Sequence, residues 1–255
     1  MPSSSVARLT LILAALSLGA PAQQELTVDQ IIQKHHAALG GVEKIKAIRS
    51  VKITGKAVLG GGAMEAPMTI QFKRPRLIHT ELTIQGRSIV TGFDGTSAWM
   101  INPMTGSSEL QKRSEEEAQE TAESADFDGP LVDYKAKGHS VELAGKEDVE
   151  GTPAYKLKVT RKIGRTDYMF LDAKSFLLIK SVGRRKQMGQ ELEVESFTGD
   201  YKPVNGVLMA HSIESKVGGK AMMRVTFETI EANVDIDDSI FKMPAPPEKA
   251  PEKKP

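Results

Sequence analysis

The stretch MEAPMTIQF, Met64 to Phe72, puts an apolar side chain at every second position: Met64, Ala66, Met68, Ile70 and Phe72. Glu65, Pro67, Thr69 and Gln71 fill the alternate positions. A period of two describes a strand with one dry and one wet face. The pattern recurs over most of the chain and restricts it to a mainly β architecture with a few helices. Candidate strands cover about 50–59, 64–73, 76–85, 87–92 and 96–101. A second meander covers about 140–149, 154–161, 166–171, 176–183, 190–201, 207–217 and 221–231. Between them stand Gly60 to Gly62, Arg74-Pro75, Gly86, Asp94-Gly95, Glu150-Gly151, Asn205-Gly206 and Gly218-Gly219, which is turn chemistry at hairpin spacing. Roughly twelve antiparallel strands follow, and no regular alternation of strand with helix argues for a parallel sheet.

Helical signals are few. Thr27 with Gln30 fits a capping box, followed at helical spacing by Val28, Ile31, Ile32, His35, Ala38 and Leu39. Gly40-Gly41 ends that helix, and a second short turn spans Val42 to Ile48. Ser114 is placed to cap a further helix, with Glu115 to Glu117 at its positive end. Its stripe of Ala118, Ala122 and Ala125 is thin, suited to lying on a surface and hardly to anchoring a core.

A curled sheet of about eight strands fills its interior with its own side chains, whereas a larger one leaves ligand space or needs a plug. Here the helices are scarce and aromatic residues make up only 5% of the chain, so bulk is in short supply. A cavity is therefore expected, with an ordinary packed β core as the alternative. From the first meander its walls would take Met64, Met68, Ile70 and Phe72, then Ile78, Leu82 and Ile84. From the second they would take Leu157 and Val159, Met209 and Ile213, and Met223, Val225 and Phe227. Methionine is flexible and polarisable, which suits walls whose contents vary.

The chain ends carry their own signals. Arg8 precedes an apolar run from Leu9 to Ala20, and Ala20-Pro21-Ala22 offers small residues for cleavage, so residues 1–22 are expected to be a secretory signal. With no cysteine there is neither a disulfide nor a lipid-anchoring residue. About 220 remaining residues can bury enough surface to do without one. A soluble periplasmic protein is expected. Without Arg8, Lys and Arg number 33 against 33 Asp and Glu, a balance that argues against nucleic acid as a partner. The segment 244–255, PAPPEKAPEKKP, has the composition of an extended, disordered tail. Residues 23–243 would then form one domain.

Three motifs, IQFKRPRLIH, FDGTSAWMINP and DIDDSIFKMPAPP, give the chain a resemblance to LolA-like outer-membrane lipoprotein-sorting proteins. Lys73-Arg74-Pro75 ends a long amphipathic strand. Asp94, Gly95, Trp99, Asn102 and Pro103 form a hairpin signature, and Phe241 with Pro244 closes the pattern. The resemblance spans about 26–244. It implies a half-open, unclosed antiparallel β-barrel of about eleven to twelve strands with a helical lid, holding acyl chains beneath that lid. It implies a periplasmic carrier of lipoproteins or lipids, and a lipid- or lipoprotein-sensing signalling protein of the same fold as the alternative. By position, Arg74 inherits the role of a latch that holds the empty lid closed. Implied partners are acylated lipoprotein or phospholipid cargo, an inner-membrane lipoprotein-releasing complex and an outer-membrane acceptor, with the chain a monomer and no cofactor required.

Catalytic and metal patterns are weak. His35 and His36 are adjacent on a helix and point about 100° apart, with no acid or histidine at i+4. His79 and Glu81 share a strand face, but two ligands make no site. GTSAW lacks the spacing of a nucleophile elbow. The triple glycine precedes no Lys-Ser/Thr pair and is a hairpin loop rather than a phosphate cradle. A binding protein is expected, not an enzyme. Trp99 is expected in the core, and Arg184, Arg185 and Lys186 at a solvated hairpin end.

Overall fold

The structure is a computed structural model that describes residues 25–106, 108–187 and 190–244. The expected signal segment and the tail beyond Pro244 lie outside the described residues. The chain opens with α1 (Val28–Ala38) and α2 (Val42–Ala47), then β1 (Ser50–Leu59), β2 (Met64–Lys73), β3 (Leu77–Ile84), β4 (Arg87–Phe93), β5 (Ala98–Ile101) and β6 (Leu110–Lys112). Helix α3 (Glu115–Ser124) and a turn-rich segment lead to β7 (Ser140–Val149), β8 (Thr152–Thr160), β9 (Thr166–Asp172) and β10 (Leu178–Gln187). The last strands are β11 (Gln190–Val204), β12 (Val207–Val217) and β13 (Lys220–Ala232).

All thirteen strands form one antiparallel sheet, in the order β6-β5-β4-β3-β2-β1-β13-β12-β11-β10-β9-β8-β7. Strands β6 and β7 are its two edges and do not pair with each other, so the barrel is unclosed. The strand count exceeds the expected eleven to twelve through β6, whose three residues are too few to display a period of two. Edge strand β7 is bulged between Leu143 and Gly145 and carries Glu142, Lys146, Glu147 and Asp148, features that discourage pairing with another chain.

Helices cover the concave face. Helix α1 starts where expected: the Thr27 hydroxyl accepts from the Gln30 amide at 3.3 Å, and the Gln30 side chain accepts from the Thr27 amide at 2.9 Å. Its Ile31 and Ile32 pack with Leu131 against Val141, Leu157, Val159 and Leu171 of β7 to β9. Ile45 and Ile48, together with Val132, pack on Val51 of β1 and Val207 of β12. The α1–α2 turn is pinned to the sheet, because the Leu208 amide donates to the Leu39 carbonyl at 2.8 Å. Gly40 makes that approach possible: it has φ 110°, and a Cβ there would overlap the Gly206 carbonyl.

Helix α3 departs from expectation. Ala118, Ala122 and Ala125 do join a core, with Ile78, Phe93 and Ala98, and Ala125 is fully buried. The facing strands supply the bulk, and the small alanines let the helix approach closely.

Trp99 is buried, on the opposite sheet face from Ala98. Its indole N–H donates to the Phe241 carbonyl at 2.9 Å, which anchors the C-terminal segment over that face. Across the β4–β5 pair Trp99 faces Gly92, where any Cβ would overlap the indole. Gly92→Ala should therefore destabilise the protein by about 1–3 kcal/mol through overpacking. A urea denaturation midpoint unchanged from wild type would contradict this.

Candidate functional site

The sheet, the helices and the segment after α3 border a half-open apolar chamber of about 430 Å³. Its floor comes from Val51 and Ile53 of β1, Ile70 and Phe72 of β2, Met169 of β9, and Met209 and Ile213 of β12, with Phe227 and Ile230 of β13. Its roof comes from His35 and His36 of α1, Leu39 just after it, Ile45 of α2, Ile48 just beyond that helix, and the stretch from Phe127 to Val132.

Of the residues assigned from alternation, Ile70, Phe72, Met209, Ile213 and Phe227 stand on the chamber wall. Met68, Leu82, Met223 and Val225 continue the concave face beyond it, clustered round Ala57 and Phe227. Ile78 lies under α3 with Phe93. Leu157 and Val159 are fully buried beneath α1 and do not line the chamber themselves; their packed cluster reaches its wall through Leu131, Met169 and Leu178. Met64 and Ile84 are half-buried at hairpin ends and join none of these clusters.

Pattern reasoning missed the roof. Ile45 and Ile48 sit at i,i+3 spacing, which was a legible signal, but Phe127, Leu131 and Val132 occur in turns that have no period. Tyr201 and Leu178 were also missed. The Tyr201 hydroxyl donates to the Leu178 carbonyl at 2.9 Å, and burial pushes its pKa up.

Arg74 ties the roof together. Its Nε donates to the Ile48 carbonyl at 2.7 Å and its Nη2 to the Ile45 carbonyl at 3.2 Å. The same guanidinium makes a bidentate pair with Asp128, at 2.7 and 2.8 Å, and lies over the Phe127 ring at 4.8 Å. One side chain thus holds the end of α2 and the segment after α3, both from the β2–β3 turn. The Asp128 side chain is buried, so the pair carries more than a surface ion pair does.

A second ionic cluster spans the seam between the two halves of the sheet. Glu123 pairs with Arg76 at 3.6 Å on one side and with Arg161 at 3.1 Å on the other. Asp126 pairs with Lys137 at 2.6 Å. Asp167, buried on β9, receives Arg161 at 3.2 Å and Arg185 at 2.9 Å. Arg185 therefore belongs to this cluster rather than to a solvated hairpin end, while Arg184 is exposed and pairs with Glu191 at 3.5 Å.

Four histidines have pKa values lowered by their surroundings. Burial lowers the pKa of His35, whose Nδ1–H donates to the Phe176 carbonyl at 2.7 Å. Burial, and then the neighbouring His35, drives His36 down to about 4. Burial also lowers His79 and His139. Among the described residues no group of three or more His, Cys, Asp or Glu could hold a metal ion.

An unclosed antiparallel sheet curled round a roofed apolar chamber defines a half-open β-barrel. Comparison with solved structures identifies its fold as LolA-like. A DUF1329 family protein from Desulfovibrio piger superposes with a TM-score of 0.56 at 12% identity, covering 85% of this chain and 97% of its own. A LolA superfamily protein from Nitrosomonas europaea gives 0.55 at 14% identity, covering 86% and 98%. An outer membrane lipoprotein-sorting protein domain from Vibrio parahaemolyticus gives 0.54 at 10% identity, covering 83% and 94%. No family sequence model and no curated protein sequence matches the chain.

Two predictions follow from this geometry. Arg74→Leu leaves the buried Asp128 carboxylate without its partner and should cost about 2–3 kcal/mol of stability. In a cycle with Asp128→Leu the two losses should be strongly non-additive in urea denaturation, and additive losses would deny the coupling. The second concerns pH. Lowered histidine pKa values mean that the folded state binds fewer protons than the unfolded state below about pH 6.5. Their contribution is complete above that pH and is lost as pH falls towards about 4, the value for His36. The melting temperature should fall across this window, and His36→Leu should flatten the fall. A melting temperature constant from pH 7 to 4.5 would contradict it.

Proposed function

We propose that the protein is a periplasmic carrier that takes acyl chains of lipoproteins or lipids into the roofed chamber and moves them towards the outer membrane. The observation that carries this reading is the chamber itself: about 430 Å³ of apolar space under a roof fastened by one arginine. Pockets for small ligands span roughly 300–1,000 Å³. Each buried methylene contributes about 0.8 kcal/mol, so a single acyl chain is held firmly against water.

The chemistry is binding and release, with no covalent step and no cofactor. Arg74 acts as the latch of the empty state, and cargo opens the roof when its contacts offset the loss of the Arg74 hydrogen bonds. Met68, Leu82, Met223 and Val225 extend the apolar path from the chamber along the concave face, and Met64 and Ile84 stand at its outer end. Cargo would come from an inner-membrane releasing complex and pass to an outer-membrane acceptor, with the carrier a monomer. The LolA-like fold supports this assignment, as does the lack, among the described residues, of a helix long and apolar enough to cross a membrane.

Native mass spectrometry of protein purified from a Gram-negative periplasm, followed by organic extraction, tests the proposal directly. Acylated peptide or phospholipid should co-purify, and the stripped protein should take up a fluorescent fatty acid. Ile213→Glu, which places a charge on the chamber floor, should reduce that uptake at least tenfold while the circular dichroism spectrum stays β-rich. An apo mass together with no uptake by wild type would refute the carrier reading.

A further inference from the structure

The two ends of the sheet differ in character. In an antiparallel sheet successive connections alternate between the ends, so the tips after β1, β3, β5 and β12 stand at one end of the neighbouring strands from β6 to β12. Strands lie about 4.8 Å apart, so these tips follow one another at intervals of about 10 Å. Residues 60–63, 85–86, 102–106 and 218–219 form them, mostly glycine and uncharged residues, with no carboxylate. Met104 in one tip and Met222 at the start of β13 are the most exposed large apolar side chains among the described residues, at 43% and 45%. Arg87 and Lys220, the first residues of β4 and β13, are exposed and form no ion pair among the described residues. The nearest acids are Glu65, one residue into β2, and Glu109 beside β6, which is itself engaged. At the other end of the same strands stand Asp94, Asp235, Asp237 and Asp238, and the arginines there, Arg74 and Arg76, pair with Asp128 and Glu123.

The apolar concave face leads to this rim. Leu59, Met64 and Met223 form one half-buried cross-strand row beside the tips, in register with Met68, Val225 and Phe227 behind them. We propose that the rim docks on the surface of an anionic lipid bilayer, with Met104 and Met222 entering the headgroup layer and Arg87 and Lys220 meeting lipid phosphates. A bilayer fits these features better than a folded partner does. The two methionines stand at opposite ends of the row with glycine-rich tips between them, so they make no contiguous patch for a protein to pack on. A fluid headgroup layer accepts separate apolar side chains, and its charge needs no matched position. Beyond β12 the rim ends: Ile163 and Arg165 after β8, and Arg184 of β10, share a hollow with Glu116 and Glu120 of α3. Two free cations and two methionines give a weak, reversible contact that leaves the concave face open towards the bilayer.

Docking goes beyond the carrier reading and stands on the rim itself, so the two can fail separately. Vesicles of phosphatidylethanolamine and phosphatidylglycerol in equal parts are sedimented with wild type and variants. Wild type should sediment with them and not with phosphatidylcholine vesicles. Arg87→Gln and Lys220→Gln should each weaken binding about fivefold, the worth of one cation at an anionic surface. Met104→Ser combined with Met222→Ser should weaken it at least as much, whereas Arg184→Gln, beyond the rim, should leave it unchanged. The chain has no cysteine, so Met222→Cys can carry a single environment-sensitive fluorophore. Its emission should shift to the blue on vesicles, and the same label on Asp94→Cys, at the opposite end, should not shift. A wild type that ignores the anionic vesicles, rim variants that bind them as wild type does, or a blue shift at residue 94 in place of 222 would overturn the docking. Ile213→Glu, with its charge on the chamber floor, should still sediment like wild type. Vesicle binding without fatty-acid uptake by wild type would remove the carrier and keep the rim, and uptake without vesicle binding would do the reverse.

Discussion

A sheet that does not close must cover its apolar concave face by other means, and this constraint organises the whole molecule. Thirteen strands curl without β6 meeting β7, so the side chains of β1, β2, β12 and β13 have no opposing wall of sheet. Three helical pieces and a stretch of turns take that place, each with its own patch of strand residues: α1 on β7 to β9, α2 on β1 and β12, α3 on β3 to β5. Because the patches are separate, the cover does not form one tight layer. The chamber is the space left where α1, α2 and the Phe127–Val132 stretch converge over the middle of the sheet.

What fastens the cover is polar. Arg74 binds two carbonyls at the end of α2 and the Asp128 carboxylate, while Glu123 and Asp126 bridge to Arg76, Arg161 and Lys137. Buried charges such as Asp167 and Glu123 are retained only where pairing offsets their desolvation, and each has two arginine partners or more. Such pairs contribute geometry more than net stability. They fix where the segment after α3 lies, although that segment has little regular hydrogen bonding of its own.

How much of this was legible depended on the distance over which a signal acts. Alternation is local, so the long strands β1, β2, β7 and β12 could be bounded from the sequence, as could α1 through its capping box. The one-sidedness of β2 likewise pointed to Ile70 and Phe72. The face reached by Leu157 and Val159 is also concave, but whether a concave residue meets a helix or open space depends on where α1 lands. No periodicity in β8 encodes that. The roof residues Phe127 and Val132 come from turns, and Arg74 acquires its partners from residues 26 and 54 positions away. Pairings of that range are set by the closure of the fold, and a single sequence shows them only through resemblance.

The separation of polar fastening from apolar contents gives the carrier reading its physical basis. A packed core would gain from complementary shape. Here the wall is lined by apolar side chains, methionine and isoleucine among them, and its one carboxylate, Asp128, belongs to the fastening. The cost of opening therefore resides in a few directional hydrogen bonds, whose worth is fixed by geometry. The gain from filling rises with the length of the chain inserted. On the carrier reading one side of the balance is fixed and the other scales with cargo, so that short apolar solutes would fall below the threshold and long acyl chains would exceed it. The roof would then select for chain length without needing a pocket shaped to any one lipid.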